Sequence, residues 1–235
     1  SWFAARIGFL AVASSLPPLT AALAWSFTGR RDLSITSGLL AVFPAFYLPF
    51  LPVTDTFGLY ILLGGIFFLL LSRSDSPLPI KSVLIPSFFM GIITGLMHLS
   101  RADGLLWLSM AIIAILFVLP KPPERRSFFT VCALLLNLLG YLVIMAPWFF
   151  RNLATFGTPL APVGIRMLWL TSYDQLFAFP ASQLTLASWW HSGFTAIWKS
   201  RVWSLGLNLA NTLAVQGEVF LFPLIGVGLW HMRKE

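Results

Sequence analysis

The residues most able to do chemistry stand in three places. The segment LMHLSRADGLLWL carries His98, Arg101, Asp103 and Gly104. Arg101 offers a planar fork of donors matched to phosphate, Asp103 a carboxylate, and Gly104 room for close backbone approach. A plainer reading is that Asp103 caps the following helix while Arg101 snorkels, and that His98 is a packing histidine. The segment APWFFRNLATFGTPLAP, Ala146 to Pro162, brings Arg151 and Asn152 out of a long apolar run, with Gly157, Thr158 and Pro159 forming a turn. Here Arg151 would bind an anionic headgroup of either substrate or ordinary lipid. The third place is the spacing Asn208, Asn211, Val215, Glu218, one side of a helix at i, i+3, i+7, i+10. Glu218 falls about 18 Å inward from Trp230 at about 1.5 Å per residue. It is therefore an ionisable group inside hydrocarbon, or, if the helix breaks near Gly217, a group at a vestibule. Asp55, in LPVTDTFGLY, either caps a helix, with Thr54 as its rival, or joins a site.

These groups need a scaffold, and composition says which. Of 235 residues only 10% are charged, against roughly 25% in soluble domains. The apolar share is 58% and the mean hydropathy is +0.86, more apolar side chain than a water-soluble fold of this size can hide. The expected architecture is an all-α, polytopic membrane bundle forming one transmembrane domain over residues 1–235. Seven stretches approach the roughly 20 apolar residues a span requires. They are Ile7 to Phe27, Ile35 to Leu51, Thr56 to Leu71, Val83 to Leu99, Gly104 to Leu119, Phe128 to Phe150 and Leu209 to Trp230. The second to fifth are short. Pro17 and Pro18 are expected to kink the first, and Pro44 and Pro49 the second.

The net charge of +7 does not indicate nucleic acid, because the basic residues are scattered between apolar runs rather than clustered. They read as topology signals. Alternate connections carry nine Lys and Arg on one side and five on the other, so the positive-inside rule places the N-terminus outside and the C-terminus in the cytoplasm. The connections near Asp55, near Arg101 and from Arg151 to Asn208 then face outward. The last, residues 151–208, holds Trp169, Trp189, Trp190, Trp198 and Trp203, and is expected to lie in the headgroup layer as interfacial or re-entrant helix. Cys132 is alone, which excludes an intrachain disulfide. His98, His191 and His231 have no HxxxH-type spacing, so no cofactor is read from the sequence, and a divalent metal is left open.

The combination of several spans, an outward SRADGLLWL and then APWFFRNLATFGTPLAP resembles the membrane glycosyltransferases of the GT-C superfamily, specifically bacterial relatives of the protein O-mannosyltransferases and lipid A aminoarabinose transferases. The resemblance covers about Leu39 to Pro162. It implies transfer of a sugar from a polyprenyl-phosphate carrier at the outer membrane surface of the cell envelope, with an acid in a first outer loop as catalytic base. That loop is not recognisable here, which suggests a fragment lacking its N-terminal spans and leaves the catalytic residue unknown. On this reading Arg101 and Arg151 meet at the outer rim to hold the carrier phosphate, Asp103 orients one of them, and Asn152 contacts donor or acceptor. His98, Asp55 and Glu218 complete the set of candidate substrate-binding residues. The competing class is a transporter or flippase of lipid-linked or anionic solutes, for which Glu218 and broken helices would also serve. A noncatalytic membrane scaffold is the third.

Overall fold

A computed structural model describes residues 2–43, 49–51, 53, 55–72, 80–119, 125–160, 166–178, 180–216 and 221–232. The regular elements among them are all helical. The chain divides into two compact units, Ser1–Phe150 and Arg151–Glu235. Three helical stretches, Arg6–Thr28, Ser82–Ser100 and Arg126–Phe156, are long and apolar enough to cross a membrane. Thr56–Ser72 and Ala102–Val118 are shorter apolar helices.

In the first unit, α1 (Trp2–Thr28) runs through Pro17 and Pro18 as one helix. It stops at Gly29, whose φ of 63° is the left-handed conformation that ends helices, with its N–H donating to the Trp25 carbonyl at 2.8 Å. The chain reverses into α2 (Arg31–Leu40), which lies antiparallel to α1. Its Ser34 hydroxyl donates to the Ala21 carbonyl at 2.8 Å, and a Cβ on Gly38 would come within 2.9 Å of the Ala21 Cβ. At this turn Arg30 pairs with Asp32 at 2.5 Å, and that hydrogen bond holds the exposed Asp32 carboxyl below the usual carboxylate range. The second expected span, Ile35 to Leu51, is helical only as far as Leu40 among the described residues, and Pro44 lies outside them.

Helix α3 (Thr56–Ser72) runs parallel to α1, with Gly58 beside Val12 and Gly65 beside Leu19. Helix α4 (Ile85–Ser100), extended at its start by a wide turn over Ile80–Leu84, returns antiparallel to α3. A short 3₁₀ turn, Ala102–Gly104, leads into α5 (Leu105–Ile113). Helix α6 (Arg126–Phe156) then runs parallel to α4. Directions thus alternate from helix to helix. Arg30, Arg31, Arg125 and Arg126 fall at one end of this unit and Arg101 at the other.

The core of this unit is built on Phe67, Met90, Met97, Ile115 and Met145, but it also takes in polar side chains while large apolar ones remain outside. Ser87, Thr94 and Asn137 are buried, whereas Phe128, Val131, Leu135, Leu138, Leu139 and Val143 on α6 are exposed. In lipid, large apolar side chains have no reason to hide, and helices associate instead through small residues and interhelical hydrogen bonds. That is the arrangement between α4 and α6. A Cβ on Gly91 would sit 2.0 Å from the Asn137 carbonyl oxygen, one on Gly140 would sit 2.2 Å from the Phe88 carbonyl oxygen, and Gly95 abuts Ile144. The Asn137 amide donates to the Ser87 carbonyl at 3.1 Å across the same contact. Trp107 of α5 fills the space beside α3, edge-on to Phe67 and Phe68 at 5.3 and 5.8 Å between centroids.

In the second unit the expected seventh span differs from the described helices. Helix α8 (Phe194–Asn211) already covers Leu209, a wide turn follows over Thr212–Gln216, and α9 covers Leu221–Met232. Glu218 and Gly217 lie outside the described residues. Helix α7 (Leu186–His191) precedes α8 and is capped by Thr185 and Ser188 reciprocally: the Thr185 hydroxyl accepts from the Ser188 N–H at 3.1 Å, and the Ser188 hydroxyl accepts from the Thr185 N–H at 3.0 Å.

The α4–α6 contact yields a direct test. Gly91→Ala and Gly140→Ala each force backbone apart and should destabilise the protein by about 1–3 kcal/mol. Gly206→Ala, in α8 with open space around it, should be neutral or mildly stabilising. Thermal unfolding in detergent micelles separates the two cases, and equal behaviour of all three would remove the proposed helix contact.

Candidate functional site

The hairpin between α4 and α5 is closed by Gly104. Its backbone presses on the last turn of α4 so closely that a Cβ would lie 2.3 Å from the Met97 carbonyl carbon and 2.4 Å from the His98 nitrogen. No other residue type fits, which explains the glycine in the sequence RADG without reference to a ligand. Arg101 stands at the turn with extended backbone, φ −151° and ψ 143°. Its N–H closes α4 on the Met97 carbonyl at 2.9 Å, and its own carbonyl accepts from the Gly104 N–H at 2.9 Å.

The Arg101 side chain is held from two sides. Its Nε donates to Asp103 Oδ1 at 3.1 Å, and its Cζ lies over the rings of Phe57 and Tyr60, 5.3 and 5.7 Å from their centroids. Both rings belong to the first turns of α3. Tyr60 in turn meets Trp107 edge-on at 6.3 Å. The ion pair is partly open to solvent, with side chains 37% and 49% exposed, so it contributes less than about 1 kcal/mol. Its use is directional. Asp103 occupies Nε, the rings carry the guanidinium face, and no described residue hydrogen-bonds the two Nη nitrogens. That edge can donate two parallel bonds to a phosphate or carboxylate.

Asp55 lies at the same end, just ahead of α3, and is exposed. Its Oδ1 accepts the Thr56 N–H at 2.5 Å, which satisfies one of the first donors of the helix. His98 is one turn back on α4 but faces α6 rather than α3. Its Nδ1 is 2.6 Å from the Tyr141 hydroxyl, the two rings stack with centroids 6.0 Å apart, and Phe149 stands edge-on at 6.4 Å. Arg101 and His98 therefore occupy different helix interfaces, and the ring of His98 is committed to Tyr141. The described residues include no group of three His, Cys, Asp or Glu side chains arranged to hold a metal ion.

Arg151 and Asn152 belong to the second unit. Arg151 is exposed. Asn152 is fully buried, its Nδ2 donating to the Pro159 carbonyl at 3.1 Å. With Gly157 at φ 69° and the Thr158 hydroxyl donating to the Leu160 carbonyl at 2.8 Å, Asn152 ties the chain that leaves α6 back onto the helix. Its Oδ1 is buried with no hydrogen-bond partner among the described residues.

Sequence reasoning missed Phe57, Tyr60 and Tyr141. The first two were legible in principle, being aromatic residues at i and i+3 directly after Asp55, on the face one turn presents to a neighbour. Nothing in the sequence alone pairs Tyr141 with His98, since helices α4 and α6 meet only in the fold. The small-xxx-small spacing Gly91–Gly95 was the available signal for that meeting.

Asn152→Ala should cost about 1–3 kcal/mol and expose the Thr158–Leu160 turn to proteolysis, because a buried carbonyl loses its donor. Asn152→Asp should be worse, since it places a charge there. Limited proteolysis of the purified protein reads both, and wild-type resistance in each variant would remove the structural role of Asn152. No family model, curated protein or solved structure matches the chain.

Proposed function

We propose that this protein is a membrane glycosyltransferase that moves a sugar from a polyprenyl-phosphate carrier to an acceptor at the extracytoplasmic face of the plasma membrane. The reading is supported above all by the seat of Arg101, a guanidinium at the end of apolar helices, oriented by Asp103 and two aromatic rings, with its Nη edge left for an anion. The basic residues at the opposite end of the first unit agree with an outward-facing Arg101 under the positive-inside rule.

In this reaction the bond between the anomeric carbon and the carrier phosphate oxygen breaks. A bond to the acceptor hydroxyl oxygen forms, the acceptor proton passes to a base, and polyprenyl phosphate leaves with the bonding pair. Arg101 offsets the charge that builds on the departing phosphate, and its two-point hold aligns the carrier for displacement. Asp55 sits at the same end, where the donor or acceptor would approach. Arg151 enters the proposal from its sequence motif alone, as a second phosphate ligand. Asn152 serves by holding the segment that follows Arg151. The base is assigned to none of these residues. A transporter of the same lipid-linked substrate would draw on Glu218, which lies outside the described residues, and no described feature favours it.

Transfer can be followed as release of polyprenyl phosphate from a labelled polyprenyl-phosphate hexose in membranes carrying the protein. Arg101→Ala should lower the rate by about a hundredfold or more while the folded protein persists. Arg101→Lys should recover little, because an ammonium cannot make the two parallel bonds. Asp103→Asn should fall between. Unchanged release in Arg101→Ala would overturn the assignment, and movement of the lipid-linked sugar across proteoliposomes without phosphate release would replace it with transport.

A further inference from the structure

The second unit contains a hollow of about 220 Å³ between the stretch around Trp169 and helix α7. Its lining includes Trp169, Trp189, Gln175, Gln183, Ser188 and Ser192, and none of the described residues that line it carries a charge. Trp169 and Trp189 form its aromatic wall, with ring centroids 5.7 Å apart. Arg201 lies over the Trp189 ring at 5.9 Å and donates to the Leu168 carbonyl at 2.6 Å. It lines a neighbouring hollow and not this one, so it braces the aromatic wall without lending the hollow its charge. The Gln175 amide is locked by Thr171, whose N–H and hydroxyl both donate to its Oε1, at 2.8 and 3.2 Å. Two polar groups remain. The indole Nε1 of Trp189 is buried with no hydrogen-bond partner among the described residues, and no described residue hydrogen-bonds the Gln183 side chain.

A buried indole N–H normally finds an acceptor, and one left without a partner beside a cavity marks where an acceptor belongs. The hollow is smaller than the roughly 300–1,000 Å³ of sites for drug-sized ligands, a size for one ring rather than a chain. Indole faces suit the C–H faces of a ring. An indole N–H and an amide suit hydroxyl groups around its edge, the hydroxyls of Ser188 and Ser192 being engaged with backbone carbonyls. The absence of charged lining disfavours phosphate and carboxylate.

We infer that this hollow is a binding subsite for a neutral, polyhydroxylated six-membered ring, a single pyranose of an acceptor or donor glycan. The assignment to an acceptor or donor glycan rests on the proposed transferase reading, whereas the ring-binding hollow stands on the second unit and does not involve Arg101.

The test uses the purified full chain in micelles of dodecylphosphocholine, a detergent without a sugar headgroup to compete. Saturation-transfer NMR is recorded with methyl α-D-glucopyranoside and methyl α-D-mannopyranoside, and with cyclohexanol as a ring of similar size carrying one hydroxyl. Protons on the ring carbons of at least one glycoside should receive saturation, and cyclohexanol should receive much less. Trp189→Phe keeps an aromatic ring and deletes the N–H, and Gln183→Leu deletes an exposed amide. Each should weaken the glycoside affinity about tenfold with the unfolding midpoint unchanged. Arg101→Ala should leave the signal intact, so failure of the transferase reading and failure of this one are separately visible. No transfer to either glycoside, equal transfer to cyclohexanol, or wild-type affinity in both variants overturns the pyranose subsite.

Discussion

The first unit depends on two helices meeting backbone to backbone. Where α4 crosses α6, Gly91 lies against the Asn137 carbonyl, Gly140 against the Phe88 carbonyl, and Gly95 against Ile144. Any side chain at Gly91 or Gly140 would hold the axes apart. The close approach brings the Asn137 amide to the Ser87 carbonyl and the His98 ring to the Tyr141 hydroxyl. In an apolar surrounding a polar side chain has few alternative partners, so such bonds fix register as well as adding stability. The C-terminal turn of α4 is thereby placed, and with it the hairpin that carries Arg101.

From that hairpin the site is built by exclusion. Gly104 lets the turn sit directly on α4, Asp103 takes one nitrogen of Arg101, and Phe57 and Tyr60 take its face. Each contact is weak, on the order of 1 kcal/mol or less at exposed sites. Together they remove orientations rather than supply strong binding. Tyr60 is tied to Trp107, and Trp107 to Phe67, so the rings under Arg101 continue into the apolar core. The same logic runs through the second unit, where Arg201 and the capping pair Thr185 and Ser188 set the attitude of Trp189.

The sequence makes the helical class and the long apolar elements legible because a segment able to cross a membrane meets a simple demand: its backbone groups are satisfied within it, and its side chains are apolar. Ile7 to Phe27, Val83 to Leu99 and Phe128 to Phe150 each fall within a helical stretch that could cross a membrane. Arg101, Asp103 and Gly104 are legible as a unit because they are neighbours in the chain. What a hydropathy reading cannot give is partnership between segments. The bond of His98 to Tyr141, the ring of Phe57 beneath Arg101, and the inward commitment of Asn152 all depend on which helix stands beside which. Leu209 to Trp230 shows a further limit, since continuous apolarity says nothing of where a helix starts, and the helix that contains Leu209 begins at Phe194.

The aromatic seat of Arg101 also bears on selectivity. A flexible cation would follow any passing anion and lose mobility on capture. A guanidinium already held by Asp103 and lying over Phe57 and Tyr60 has less freedom left to lose. On the proposed reading, a group with two oxygens in one plane fits its Nη edge better than a halide or a lone alkoxide, a preference of shape rather than of net charge.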